Sequence, residues 1–228
     1  MFGPVQLTPY DVEFRLFRIP IRVLPWFWLM SAFLGWDWIE LGPLYLAIWM
    51  LVIFVSILVH ELGHALTAEA FGCPASVLLY HFGGLAMHHA GFNYTRRVRM
   101  LIIIAGPAAG LALYGLVKGL IYAQVYFGFL PEELVTSDPF LAAVAMLIWV
   151  NLFWSILTLL PVYPMDGGQL SREIFMHFDR MRGERKAAFL SMATGIAAAA
   201  VMAIHFQSPY AALMLAFMAF QSFEQLQR

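Results

Sequence analysis

Charge is scarce in this chain. Asp, Glu, Lys and Arg make up 12% of 228 residues against 62% apolar, and the mean hydropathy is +0.76. A soluble domain carries about twice that charged fraction, so a solvated globular fold is excluded. The formal net charge of −1 lacks the basic excess that nucleic-acid binding needs, and no such partner is expected. The single cysteine, Cys73, rules out an intrachain disulfide and leaves the redox compartment open. A cleaved signal peptide is not expected, because the charged residues from Asp11 to Arg22 precede the first long apolar run. Repeats, low-complexity tracts and flexible linkers are also lacking. The chain reads as one membrane-embedded domain over 1–228.

What is abundant is long apolar sequence. Crossing the hydrocarbon takes about 20 apolar residues, and runs near that length fall at about 23–36, 43–68, 100–122, 139–160, 187–205 and 209–224. The first is short and contains Pro25, which suits a tilted or interfacial position. All six are expected to be helices, since a lone strand leaves its backbone unsatisfied in lipid. The runs are also too long and too uniformly apolar for barrel strands. The expectation is an all-α polytopic membrane protein of about six transmembrane helices. Its core covers about 43–168, and helices five and six cover about 187–224.

The placement of basic residues orients these spans. Arg15, Arg18 and Arg22 precede the first, and Arg96, Arg97 and Arg99 precede the third. Arg172, Arg180, Arg182, Arg185 and Lys186 lie between the fourth and fifth, and Arg228 follows the sixth. Six spans put all of these on one side and Asp37, Glu40, Glu132, Glu133 and Asp138 on the other. Lys118, near the far end of the third span, is free to snorkel. The positive-inside rule then predicts a multi-pass protein with both termini in the cytoplasm.

Two segments read as β structure. Ile19, Ile21 and Val23 alternate with Arg18, Pro20 and Arg22, which predicts a short strand within 12–23. Residues 76–90 form two apolar stretches about Gly83-Gly84, a hairpin signal.

The second run carries His60-Glu61-Leu62-Gly63-His64 near its end. Ionisable groups at that depth are costly and mark function by default. On a helix, residues four apart share a face, so both imidazoles reach one ion while Glu61 stands where it can take a proton from water. Zinc suits the pattern, at one ion per chain, and lowers the pKa of water to about 7. A catalytic zinc takes a third protein ligand. Asp166 is the candidate, in Leu159-Leu160-Pro161-Val162-Tyr163-Pro164-Met165-Asp166-Gly167-Gly168. The two prolines end the fourth helix, and the glycines are expected to let the backbone bend about the carboxylate. An ordinary Asp-Gly turn is the alternative. His81, His88 and His89 read as solvated hairpin residues rather than further ligands, and Asn151 as either an interhelical hydrogen bond or a substrate contact.

Taken together, H-E-L-G-H and the later Pro-x-x-Pro-x-Asp-Gly-Gly resemble the site-2 protease family of intramembrane zinc metalloproteases. Phe17-Arg18-Ile19-Pro20-Ile21-Arg22-Val23 is similar to the family's N-terminal strand, and His81-Phe82-Gly83-Gly84 to its glycine-bearing hairpin. Ala105-Gly106-Pro107 is similar to the start of its next core helix. The resemblance implies zinc on His60, His64 and Asp166, Glu61 as general base, and hydrolysis of a peptide bond in a transmembrane segment of another membrane protein. The compactness of the chain points to a prokaryotic cell membrane as the expected setting. Where the family commonly carries an Asn eight residues before the aspartate, this chain has Thr158, a weaker oxyanion donor. Asn151 lies two helical turns further back, and Gly83 and Gly84 complete the set of candidate substrate contacts.

Two other classes compete. A non-catalytic relative that binds membrane segments is favoured only by Thr158. A metal transporter would spread ionisable groups over several helices, and the last two helices have none in their interiors.

Overall fold

The computed structural model describes residues 8–81, 83–91 and 94–227. Phe82 and Arg228, which entered the hairpin motif and the charge map, lie outside them.

The chain starts with a hairpin, β1 (Val12–Leu16) and β2 (Ile19–Val23), turned at Phe17 and Arg18 with φ of 48° and 70°. Two successive positive φ values are what a two-residue hairpin turn needs. Ile19, Ile21 and Val23 face inward, as their alternation suggests, but the segment forms two strands rather than one.

β2 then pairs in parallel with β3 (Ala75–Tyr80), which pairs antiparallel with β4 (Gly83–His88). The result is a single sheet in the order β1-β2-β3-β4. Parallel neighbours require a long crossover. It is formed by α1 (Pro25–Leu34), a 3-10 turn (Trp36–Leu41) and α2 (Pro43–Ala70). α1 and the turn run back along the first half of α2, with Trp28 stacked on Phe54 and Trp38 on Trp49. Ten helical residues reach only about 15 Å, so α1 covers half the hydrocarbon and does not span it as a regular helix.

α3 (Arg96–Phe127), the short α4 (Glu132–Val135), α5 (Asp138–Thr158), α6 (Asp166–Phe178), α7 (Gly183–Ile204) and α8 (Pro209–Gln227) follow. Among the described residues α2, α3, α5 and α7 are long and apolar enough to cross a membrane. The six apolar runs thus give four such helices. α1 is too short, and α8 is long enough but ends in polar residues that include Gln221 and Glu224. α6 is a separate short helix outside the spans.

The sheet and the second half of α2 enclose the main core, with Ile19, Ile21, Leu58, Leu62, Val77 and Leu79 buried in it. The same pairing holds the arginine-bearing hairpin at the His64 end of α2. Arg96 and Arg99 of α3 form ion pairs with Glu173 of α6. The three basic clusters therefore gather at one end of the bundle.

Candidate metal centre

His60, Glu61 and His64 are 3%, 6% and 8% exposed, deep in the contacts of α2. Each is held by a different neighbour.

His64 meets α3. Its Nδ1–H donates to the Ile102 carbonyl at 2.7 Å, which leaves the Nε2 lone pair facing away. The imidazole fills the space where Gly106 would carry a Cβ, and a Cβ on Gly63 would strike the Ala105 carbonyl. Ala105-Gly106-Pro107 is therefore where α2 and α3 touch. It lies about ten residues inside α3, not at the start of the helix as the resemblance implied.

Asp166 opens α6. Its Oδ2 lies 3.1 Å from His60 Nε2 and its Oδ1 3.4 Å from His64 Nε2, while the two Nε2 atoms are 3.2 Å apart. Burial works to raise its pKa, but the neighbouring imidazoles of His60 and His64 outweigh that and hold it at about 2, so the group stays a carboxylate. Gly167 and Gly168 do not bend the chain as expected; they are helical residues of the first turn of α6. A Cβ on Gly167 would meet the backbone of Leu159 and Leu160, and one on Gly168 that of Val162 and Tyr163. Their smallness lets α6 start against the preceding loop. That loop is fixed in turn by the Tyr163 N–H, which donates to Ser191 Oγ at 2.7 Å.

Glu61 faces β4. Its side chain occupies the space a Cβ on Gly84 would fill, and the backbone N–H of Ala86 faces its carboxylate. Gly83 and Gly84 are not the turn of the hairpin. They begin β4, opposite Tyr80 and Leu79, with Gly83 at φ +127°. His89 N–H donates to the Pro74 carbonyl. Antiparallel alternation therefore turns the odd-numbered residues of β4 toward β3, and the backbone groups of Gly84, Ala86 and His88 away from it. Among the described residues β4 is thus an open edge of the sheet, and it lines the same cavity, of about 270 Å³, as His60, Glu61, His64 and Asp166.

Of the other candidates, Thr158 also lines the cavity, with its hydroxyl donating to the Ser155 carbonyl at 3.3 Å. Asn151 does not line it. Its amide donates to Ser56 Oγ of α2 and to the Leu147 carbonyl, both at 2.9 Å, tying α5 to α2. His88 reaches the lining and bonds the Tyr94 hydroxyl at 3.0 Å. Sequence reasoning missed the opposite wall, made by Met214, Phe217, Met218 and Gln221 of α8. Their i, i+3, i+4, i+7 spacing was available as a signal, but an apolar helix gives no reason to prefer one stripe over another.

The donor set fits zinc. Tetrahedral ligands about 2.0–2.1 Å from the ion stand about 3.3–3.4 Å apart, close to the three separations found here. Two imidazoles and a carboxylate are suitable ligands, and the Ile102 carbonyl presets the tautomer of one. His60 lacks that support, since its Nδ1 is buried without a partner among the described residues.

Fold and site define the class: a helical membrane protein with a group of two histidines and one aspartate that could hold a metal ion, and a carboxylate beside it. Comparison with known proteins agrees. Residues 117–202 match the family description of peptidase family M50, a stretch that includes Asp166 and not His60 or His64. A zinc metalloprotease of Methanocaldococcus jannaschii is 30% identical over 162 residues, 71% of this chain and 44% of that protein. Stage IV sporulation protein FB of Bacillus subtilis is 28% identical over 179 residues, 78% of this chain and 54% of that protein. The solved site-2 protease from Methanocaldococcus jannaschii superposes with a TM-score of 0.60 at 22% identity, covering 93% of this chain and 95% of that one. The chain is similar in sequence to peptidase family M50 and its zinc metalloproteases, and in fold to a site-2 protease. It spans about a third to a half of the curated relatives it matches.

Proposed function

We propose that this protein is a zinc metalloprotease of the membrane interior, which hydrolyses a peptide bond in or near a transmembrane segment of another membrane protein. The observation that carries this reading is the convergence of His60, His64, Asp166 and Glu61 on a cavity walled by the open edge of β4, within the length of a spanning helix.

His60, His64 and Asp166 hold one zinc per chain in this reading. When bound, zinc supplies a Lewis acid for the scissile carbonyl and lowers the pKa of water toward about 7. Glu61 accepts the proton of the attacking water and delivers it to the departing amine nitrogen. The C–N bond breaks, and a carboxylic acid and an amine result.

A peptide bond inside a helix is shielded by its own backbone, so the substrate must unwind. Each freed polar group left unpaired in apolar surroundings costs several kcal/mol. The outward backbone groups of β4 offer replacements by adding the substrate as one more strand. With the basic clusters at the His64 end, the positive-inside rule places that end and both termini in the cytoplasm of a prokaryotic cell membrane. The chain acts as one membrane-embedded domain.

The test uses the whole chain purified in detergent, with a panel of transmembrane peptides. Native protein should hold about one zinc and cut at least one peptide. Glu61→Gln should keep the zinc and cut none. Cleavage that survives Glu61→Gln would remove the mechanism.

A further inference from the structure

Glu173 has no place in the chemistry above, yet it is buried, at 5% exposure. A carboxylate this deep is tolerated only when paired. Its partners are Arg99, at 2.9 Å, and Arg96, at 3.6 Å, both in the first turn of α3. Arg96 also donates to His177 Nδ1, at 3.2 Å, one further turn along α6. The contacts of Glu173 and His177 with arginine thus go to one end of α3.

The two ends of this link matter to the metal centre. Glu173 stands seven residues after Asp166, two turns along the same face of α6. Asp166 lies at the very start of that helix, after a loop, so its carboxylate points where α6 directs it. α3, the helix that receives Glu173, also orients His64 through the Ile102 carbonyl and the Gly106 gap. One helix therefore sets the second histidine directly and the aspartate through an ion pair.

We infer that Glu173 is a positioning residue: clamped by Arg96 and Arg99, it registers α6 against α3 so that the Asp166 carboxylate meets both histidines. The inference rests on the metal reading above. It predicts that breaking the clamp weakens metal binding and does so only through Asp166. Partners that orient metal ligands are worth about 10–100-fold in affinity.

The experiment is a double-mutant cycle on the full chain in detergent, with zinc affinity measured against chelators of graded strength. Native protein, Glu173→Ala, Asp166→Ala and the double variant are compared. Glu173→Ala should bind zinc about tenfold more weakly than native protein, and the double variant should bind it as Asp166→Ala does. Equal affinity of Glu173→Ala and native protein would overturn the inference. So would an equal loss in both backgrounds, which would mean general loosening of the fold. Native protein that binds no zinc would contradict the metal reading itself, a separate outcome. Glu173→Gln keeps the shape of the side chain and carries the same cycle if the alanine variant does not fold.

Discussion

His64 of α2 is oriented by Ile102 of α3: the imidazole donates from Nδ1 to that carbonyl at 2.7 Å, with Gly106 one turn further along leaving room for the ring. One of the three proposed metal ligands is therefore set by the backbone of a neighbouring helix. The site depends on how closely two apolar helices approach.

Adding a methyl group at that contact tests the dependence. Gly106→Ala places a Cβ in the ring of His64, which must rotate away from Ile102. Zinc affinity is expected to fall by about tenfold or more, while helix content by circular dichroism stays unchanged. Unaltered affinity would mean that the ring is held by something other than this contact.

Thr158 offers a second test. Its hydroxyl is turned to the Ser155 carbonyl in its own helix. A well-placed oxyanion donor is worth about 10²–10³ in turnover. Thr158→Val should cost less than about tenfold, with zinc content unchanged. A hundredfold loss would show that the hydroxyl turns into the cavity during the reaction.

Much of this site was legible because its signals are local. H-E-x-x-H declares itself through the i, i+4 geometry of a helix, and Asp166 through an Asp-Gly-Gly flanked by prolines. What sequence could not show depends on close approach between distant segments. Gly83-Gly84 reads as a turn, yet Gly84 is a strand residue whose missing side chain admits Glu61. Gly167-Gly168 reads as a bend and proves to be a helix start pressed on a loop. Asn151 left two readings open, and its bond to Ser56 is the interhelical one. The first and last apolar runs read as spans by composition, but neither forms a single helix with the length and hydropathy of a span: the first breaks at Gly35 into α1 and a 3-10 turn, and the last ends in polar residues.

The open edge of β4 predicts substrate preference. Segments with Gly, Asn or Pro near the cut unwind at lower cost than Leu- and Ala-rich ones. Paired peptides that differ only there should be cut at different rates, the helix-weakened one faster. Equal rates would count against strand addition. Within the protein, Ala86→Pro removes a backbone donor on the cavity side and should slow cleavage while keeping the zinc. The donor it removes also reaches Glu61, so the peptide comparison is the cleaner of the two.

Topology is tested by labelling single cysteines in a Cys73-replaced background. Position 133, between α3 and α5, should react in intact cells. Positions 97 and 182, at the basic end, should react only after the membrane is permeabilised. Labelling of 182 in intact cells would place the metal centre at the opposite face.

If Glu61 moves the proton in cleavage of membrane proteins, its removal must leave substrates uncut in the cell. The membrane proteomes of cells that carry native protein and cells that carry Glu61→Gln at equal abundance are compared. One or more transmembrane proteins should accumulate uncut in the Glu61→Gln cells, with their shortened products present only in the native ones. Indistinguishable membrane proteomes, with zinc bound in both proteins, would contradict that role for Glu61.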